Sequence, residues 1–138
     1  MRKRSILLSL AALLLSGCVK VGPVGEACSD KQTINVSTAK DYAQTLIDRD
    51  YETAQTFNYS SEMSDIINNG KMVDLLKSKL DTFGEFKEMQ AALCSQGENG
   101  EIVTLPMKFS DQNFNLNITF NAESKITGIS FSDFTGTK

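Results

Sequence analysis

The sequence predicts an α+β fold in which N-terminal helices pack on a curved antiparallel sheet. Three observations predict it. Apolar residues recur at helical spacing between residues 38 and 83, and from about residue 86 the period changes to two. Glycine- and asparagine-rich stops punctuate both halves, at Asn69-Gly70, Gly84 and Gly97-Glu-Asn-Gly100. The links between the strands are of hairpin length, which gives a meander.

The elements follow in order. Val19 to Thr38 carries Gly22, Pro23, Gly25, Ser29, Asp30 and Ser37 without a helical period, and it reads as a spacer. Ile34 and Val36 make a short strand or a lead-in that packs on the domain. Thr38 opens the first helix with a capping side chain, and Asp41 three residues on resembles a capping box. Ala39, Tyr42, Ala43, Leu46 and Ile47 form its apolar stripe. Asp50 caps a second short helix with Tyr51, Ala54 and Phe57 on one face. Ser60 or Ser61 caps a third, with Met63, Ile66 and Ile67 inward. Lys71 to Phe83 is a fourth, with Met72, Leu75, Leu76, Leu80 and Phe83 inward. Phe86 to Ser95 is a strand of mixed pattern. Glu101 to Ser110 places Val103, Leu105, Met107 and Phe109 on one face, and its Pro106 demands an edge or a bulge. In Phe114 to Asn121, Phe114, Leu116, Ile118 and Phe120 alternate with Asn115, Asn117, Thr119 and Asn121. Lys125 to Phe134 is the last strand, with a bulge at Gly128.

The 138 residues suffice for one domain. Before it, Arg2, Lys3 and Arg4 precede an apolar run from Ile6 to Leu15 that is too short to span a hydrocarbon core of ~30 Å as a helix. The run ends Leu15-Ser16-Gly17-Cys18, which resembles the lipobox of bacterial lipoproteins. That resemblance implies cleavage before Cys18 and diacylglycerol on its sulfur, so residues 1–17 are a lipoprotein signal peptide, 18–37 a lipidated tether and 38–138 a single α+β domain. An ordinary signal peptide with a chance cysteine and an uncleaved anchor are the alternatives. Two or three acyl chains, at ~0.8 kcal/mol per buried methylene, give stable anchoring. The expected location is the cell envelope. Val19, in place of the aspartate that retains lipoproteins at the inner membrane in enteric-type bacteria, favours the outer membrane facing the periplasm.

Two cysteines remain, Cys28 and Cys94. In an oxidising compartment they suggest a disulfide closing a loop of about 65 residues. Two unrelated thiols, one exposed and one buried, are the plain alternative.

Composition excludes several functions. Loss of Arg2, Lys3 and Arg4 reduces 14 bases to 11 against 17 acids, a formal charge of −6, with no basic cluster for nucleic acid. The chain has no histidine, which removes Ser-His-Asp and Cys-His sites and the commonest transition-metal ligand. No metal, cofactor or catalytic residue is expected. Tyr42, Tyr51 and Tyr59 are candidates for the polar rim of a pocket, although at helical spacing among apolar neighbours a core role with the hydroxyl at the surface is the more common one. Asn113, Asn115, Asn117 and Asn121 make a polar outer sheet face that pairs with a partner or faces water.

The run Ala43…Leu46-Ile47-Asp48-Arg49-Asp50-Tyr51-Glu52-Thr53-Ala54 resembles the opening of the nuclear-transport-factor-two-like superfamily. Phe83-Gly84-Glu85-Phe86, Val103-Thr-Leu-Pro-Met107, Asn115-Leu-Asn-Ile-Thr-Phe120 and Lys125-Ile-Thr-Gly-Ile129 follow in order. Together, over about residues 39–131, they resemble the bacterial family named domain of unknown function 3887 within that superfamily. The resemblance implies a cone: a bent sheet wrapped on helices with a pocket in its mouth. Superfamily members include isomerases, dehydratases, binding proteins and structural dimers, so fold alone fixes no activity. Their enzymes use an Asp–His pair or an Asp with Tyr partners; this chain has no histidine and no matching inward Asp. The expected function is therefore a non-catalytic binding or interaction domain on the envelope, held to the membrane by lipid on Cys18, with a protein partner or a second copy docking on the sheet. A carrier or sensor of a small apolar ligand is the alternative, and an isomerase- or dehydratase-like enzyme is third.

Overall fold

A computed structural model describes residues 25–138. Strand β1 (Glu26–Ala27) and a 3₁₀ turn (Asp30–Gln32) lead into helix α1 (Thr33–Ile47). Helices α2 (Tyr51–Ala54), α3 (Ser61–Asn68) and α4 (Lys71–Phe83) follow. The sheet then completes itself with β2 (Phe86–Met89), β3 (Leu93–Gly97), β4 (Gly100–Phe109), β5 (Asn113–Phe120) and β6 (Ile126–Asp133). All strand pairs are antiparallel, in the order β1-β3-β4-β5-β6, with β2 also on β4. The fold is α+β, as the change of hydrophobic period predicts.

The β4–β5 register sets the core. Val103 faces Ile118, Leu105 faces Leu116 and Met107 faces Phe114, so each strand's apolar set lands on the same side of the sheet. That side receives the helices. Val103, Leu105, Leu116, Ile118 and Phe120 are fully buried there. At one end Phe83 of α4 stacks on Phe114 at 3.9 Å between ring centroids and meets Phe131 edge-on at 5.6 Å. From α1, Ala39, Tyr42, Ala43 and Leu46 enter the core at the expected spacing.

The helix ends follow local chemistry. Asp50 accepts the Thr53 backbone N–H and caps α2. Of the two serines that could cap α3, Ser60 does so, accepting the Met63 backbone N–H. Arg49, at φ 59°, turns the chain between α1 and α2, and its guanidinium reaches the Leu80 carbonyl and Asp81 on α4. Burial opposes the Arg49 charge, but Tyr51 and Asp81 outweigh it and hold the guanidinium above its ordinary pKa. Gly100, at φ 139°, lets β4 leave its hairpin against β5; a Cβ there would lie 2.0 Å from the Phe120 carbonyl oxygen.

Several elements depart from the sequence expectation. Helix α1 starts at Thr33, so Thr38 lies inside it and Ile34 and Val36 are helical. The cause is a non-local contact: the Glu101 carboxylate on β4 accepts from the Gln32 and Asn35 side-chain amides, which fixes the first turn against the sheet. Residues expected to be spacer are thus folded from Glu26 onward. On α3 and α4, Ile66 and Leu75 are exposed, at 43% and 55%. Met63 with Ile67, and Val73 with Leu76, Leu80 and Phe83, fill the stripe, and Ile66 and Leu75 sit about 100° off it. The expected strand Phe86–Ser95 is two strands, broken at 90–92.

Pro106 explains the break. It lies within β4, opposite Asn115 of β5. On its other flank β2 pairs from Met107 onward and β3 pairs up to Thr104, so the neighbouring ladder is open where Pro106 has no N–H to give. The Gln90 backbone N–H still donates to the Pro106 carbonyl. The bulge expected near Gly128 is present: Gly128 pairs with Thr119 and Ile126 with Phe120, leaving Thr127 as the extra residue.

Cys28 and Cys94 are joined in a disulfide across 66 residues, beside the Glu26–Cys94 pairing of β1 with β3. Reduction should lower unfolding stability by up to about 4 kcal/mol in the chain-entropy model, measurable as a shift in denaturant midpoint with and without reductant. Phe120→Ala should cost about 3–5 kcal/mol because the ring is fully buried. Asn117 bonds to Thr104 and Ser132 rather than to water alone, so Asn117→Ala should cost about 1 kcal/mol. Equal losses for the two variants in chemical denaturation would contradict the register.

Candidate functional site

The three tyrosines proposed as a pocket rim are split by the fold. Tyr42 on α1 and Tyr59, just before α3, come together inside the core. The Tyr59 hydroxyl donates to the Ala54 carbonyl. The Tyr42 hydroxyl lies beside it, fully buried, and nothing among the described residues meets it with hydrogen-bond geometry. Burial pushes the Tyr42 phenol far above its ordinary pKa, and the neighbouring Tyr59 adds to the rise. Burial also raises Tyr59, with Tyr42 acting in the opposite direction. Both therefore stay protonated across the physiological range, and neither is poised as a base. The Tyr42 ring meets Phe57 edge-on at 5.0 Å, so these are core residues rather than a rim. Tyr51 is set apart. Its ring lies under the Lys77 ammonium at 5.5 Å, and its hydroxyl lies beside the Arg49 guanidinium without meeting it in good hydrogen-bond geometry.

No group of three or more His, Cys, Asp or Glu side chains that could hold a metal ion occurs among the described residues. Cys18 and its flanking segment lie outside them. Within them, no helix is long and apolar enough to cross a membrane.

Two surface features have definite geometry. The first is a polar groove of about 420 Å³ lined by Ser60, Glu62, Asn99, Thr119, Thr127 and Gly128. It sits where the β3–β4 hairpin, the β6 bulge and the start of α3 meet. The Ser60 hydroxyl is committed to capping α3, and the Thr127 hydroxyl to the Thr119 carbonyl.

The second is the sheet face away from the helices. The sequence marks it as a row of asparagines open to water or a partner. Its middle is instead closed: Asn115 is 3% exposed and Pro106 under 2%. Thr104 donates to Asn117, which donates to Ser132, so a side-chain chain crosses β4, β5 and β6. Next to it, residues 134–138 turn back over the sheet. Asn115 bonds both the backbone N–H and the hydroxyl of Thr135. Gln90, in the break between β2 and β3, bonds both the carbonyl and the N–H of Thr137. The segment looks like an ordinary polar end in sequence; only the position of Gln90 opposite Pro106 gives it somewhere to bind.

Fold and surface together define a small α+β domain with a packed interior and a helix-free sheet face partly covered by its own chain. The chain belongs to the family described as “Protein of unknown function (DUF3887)”, whose model matches residues 39–129. It is similar in fold to a protein from Ruminococcus gnavus ATCC 29149 whose structure was determined by NMR. The TM-score is 0.54 at 17% sequence identity, over 79% of this chain and 99% of that one. No curated protein matches.

The tyrosine pair yields a contrast. Tyr59→Phe leaves the Ala54 carbonyl without its side-chain donor and should cost about 1–2 kcal/mol. Tyr42→Phe removes a buried hydroxyl that has no partner among the described residues and should be neutral or stabilising. Paired urea titrations of the two variants check this.

Proposed function

We propose that this chain is an envelope lipoprotein whose domain is a non-catalytic binding or interaction module, carried at the membrane by lipid on Cys18. The observation that carries the module reading is the filled interior. Tyr42, Leu46, Ile67, Leu80, Leu105, Leu116, Ile118 and Phe120 are each under 2% exposed. An enzyme or an apolar carrier of this architecture needs such inward positions free for a substrate or ligand. Here Phe83, Phe109, Phe114 and Phe131 are occupied with one another at ring separations from 3.9 to 5.7 Å. Recognition then falls to the outer surface. The sequence Leu15-Ser16-Gly17-Cys18 supports the anchor, and Val19 supports the outer membrane facing the periplasm. The disulfide between Cys28 and Cys94 suits an oxidising compartment.

Cells labelled with palmitate should mark the wild-type chain and leave Cys18→Ser unmarked and uncut. Label on the variant overturns the anchor. Native mass spectrometry of the protein purified from its host membranes should give the mass of the covalently lipidated chain with no further noncovalent ligand. A stoichiometric apolar molecule released on denaturation would instead establish a carrier.

A further inference from the structure

The strap formed by residues 134–138 is bound in an unusual way. Among the described residues it makes no backbone–backbone hydrogen bond. Its polar contacts come from two side-chain amides, each of which grips one residue twice. Gln90 Nε2 donates to the Thr137 carbonyl at 2.6 Å, and Gln90 Oε1 accepts the Thr137 N–H at 2.8 Å. Asn115 Nδ2 donates to the Thr135 hydroxyl at 3.0 Å, and Asn115 Oδ1 accepts the Thr135 N–H at 3.2 Å. A primary amide offers a donor and an acceptor side by side, as a strand edge does. Gln90 therefore reads peptide backbone and ignores the Thr137 side chain. Between the two grips Gly136 passes so close that a Cβ would stand 2.1 Å from Gln90 Oε1 and 2.6 Å from the Phe134 ring. The floor is Pro106, between Asn115 on its β5 side and Gln90 on the other.

The geometry points to a peptide-docking track on the outer sheet face, read by Gln90 and Asn115 and occupied in cis by the chain's own Thr135-Gly136-Thr137, which a partner segment of the same Thr-Gly-Thr type, bent at its central glycine, displaces. This rests on the reading of the domain as an interaction module and locates its docking site. The occupant's chemistry is shown by the strap itself. The grip on Thr137 is to backbone, the grip on Thr135 takes one N–H and one hydroxyl, and a β-carbon between them would have to push Gln90 Oε1 off the Thr137 N–H. A short segment held through two side chains opens locally while the sheet stays folded. A tethered occupant acts at millimolar effective concentration, so the track is closed to weak competitors until the strap is released.

The side-chain amide signals of Gln90 and Asn115 in a ¹⁵N-labelled sample report the track directly. Ending the chain at Asp133 should move both pairs of signals, and so should Gly136→Val in the otherwise intact chain. A synthetic peptide Phe-Thr-Gly-Thr-Lys with blocked ends should then return them toward their original positions, saturably, in either opened protein. Its apparent affinity should be at least tenfold weaker for the intact chain. A peptide with valine for glycine should bind at least tenfold more weakly than the parent. Gln90→Ala in the opened protein should abolish the response. The track is overturned if the amide signals do not move on Gly136→Val, or if the peptide gives no saturable shift in an opened protein with native circular dichroism. It is equally overturned if the glycine and valine peptides bind alike. Because the probe is the chain's own segment, these outcomes do not depend on Cys18 or on finding a partner. A track that binds the peptide while no cellular partner exists would count against the module reading alone.

Discussion

The register between β4 and β5 is the constraint on which the rest of the molecule depends. In a strand, successive side chains point to opposite faces, so a slip by one residue would turn Phe114, Leu116, Ile118 and Phe120 to water and Asn115, Asn117 and Thr119 to the helices. The observed pairing puts both apolar rows on one face. Once that face exists, α1 and α4 have a surface to cover, and their stripes supply Tyr42, Leu46, Leu76, Leu80 and Phe83 to it. The N-terminal segment is then drawn in by contacts that only a formed sheet can offer. These are the Glu26–Cys94 pairing, the Cys28–Cys94 bond and the Glu101 carboxylate that holds Gln32 and Asn35.

What was legible in the sequence follows the same division. The strands β4, β5 and β6, the helix over 71–83, the Asp50 cap and the bulge near Gly128 are local patterns, and each has its cause within a few residues. The start of α1 was not legible, because its first turn is fixed by Glu101, about seventy residues away. Ile66 and Leu75 were misplaced because an apolar residue next to a stripe looks the same in sequence as one within it. The tyrosines show a different limit. Helical spacing allowed Tyr42, Tyr51 and Tyr59 to be core or rim, and packing places Tyr42 and Tyr59 in the core while leaving Tyr51 under Lys77.

Pro106 links fold to surface. A proline in a strand flanked on both sides is costly unless the side facing its missing N–H is left unpaired. Here the flanking strand is interrupted, and the interruption frees Gln90 from regular ladder pairing. The same residue that would weaken the sheet thereby creates the position from which a side-chain amide reaches across the outer face.

The two sides of the sheet consequently differ in kind. The helix side is closed by large apolar groups in mutual contact, and opening it would expose Phe83, Phe114 and Phe120 together, a change on the scale of unfolding. The outer side is closed by a few residues held through amides, with Thr135 and Thr137 still exposed to solvent. A functional reading built on the interior would require that packed layer to move, whereas one built on the outer face requires only a segment held by four side-chain hydrogen bonds to do so.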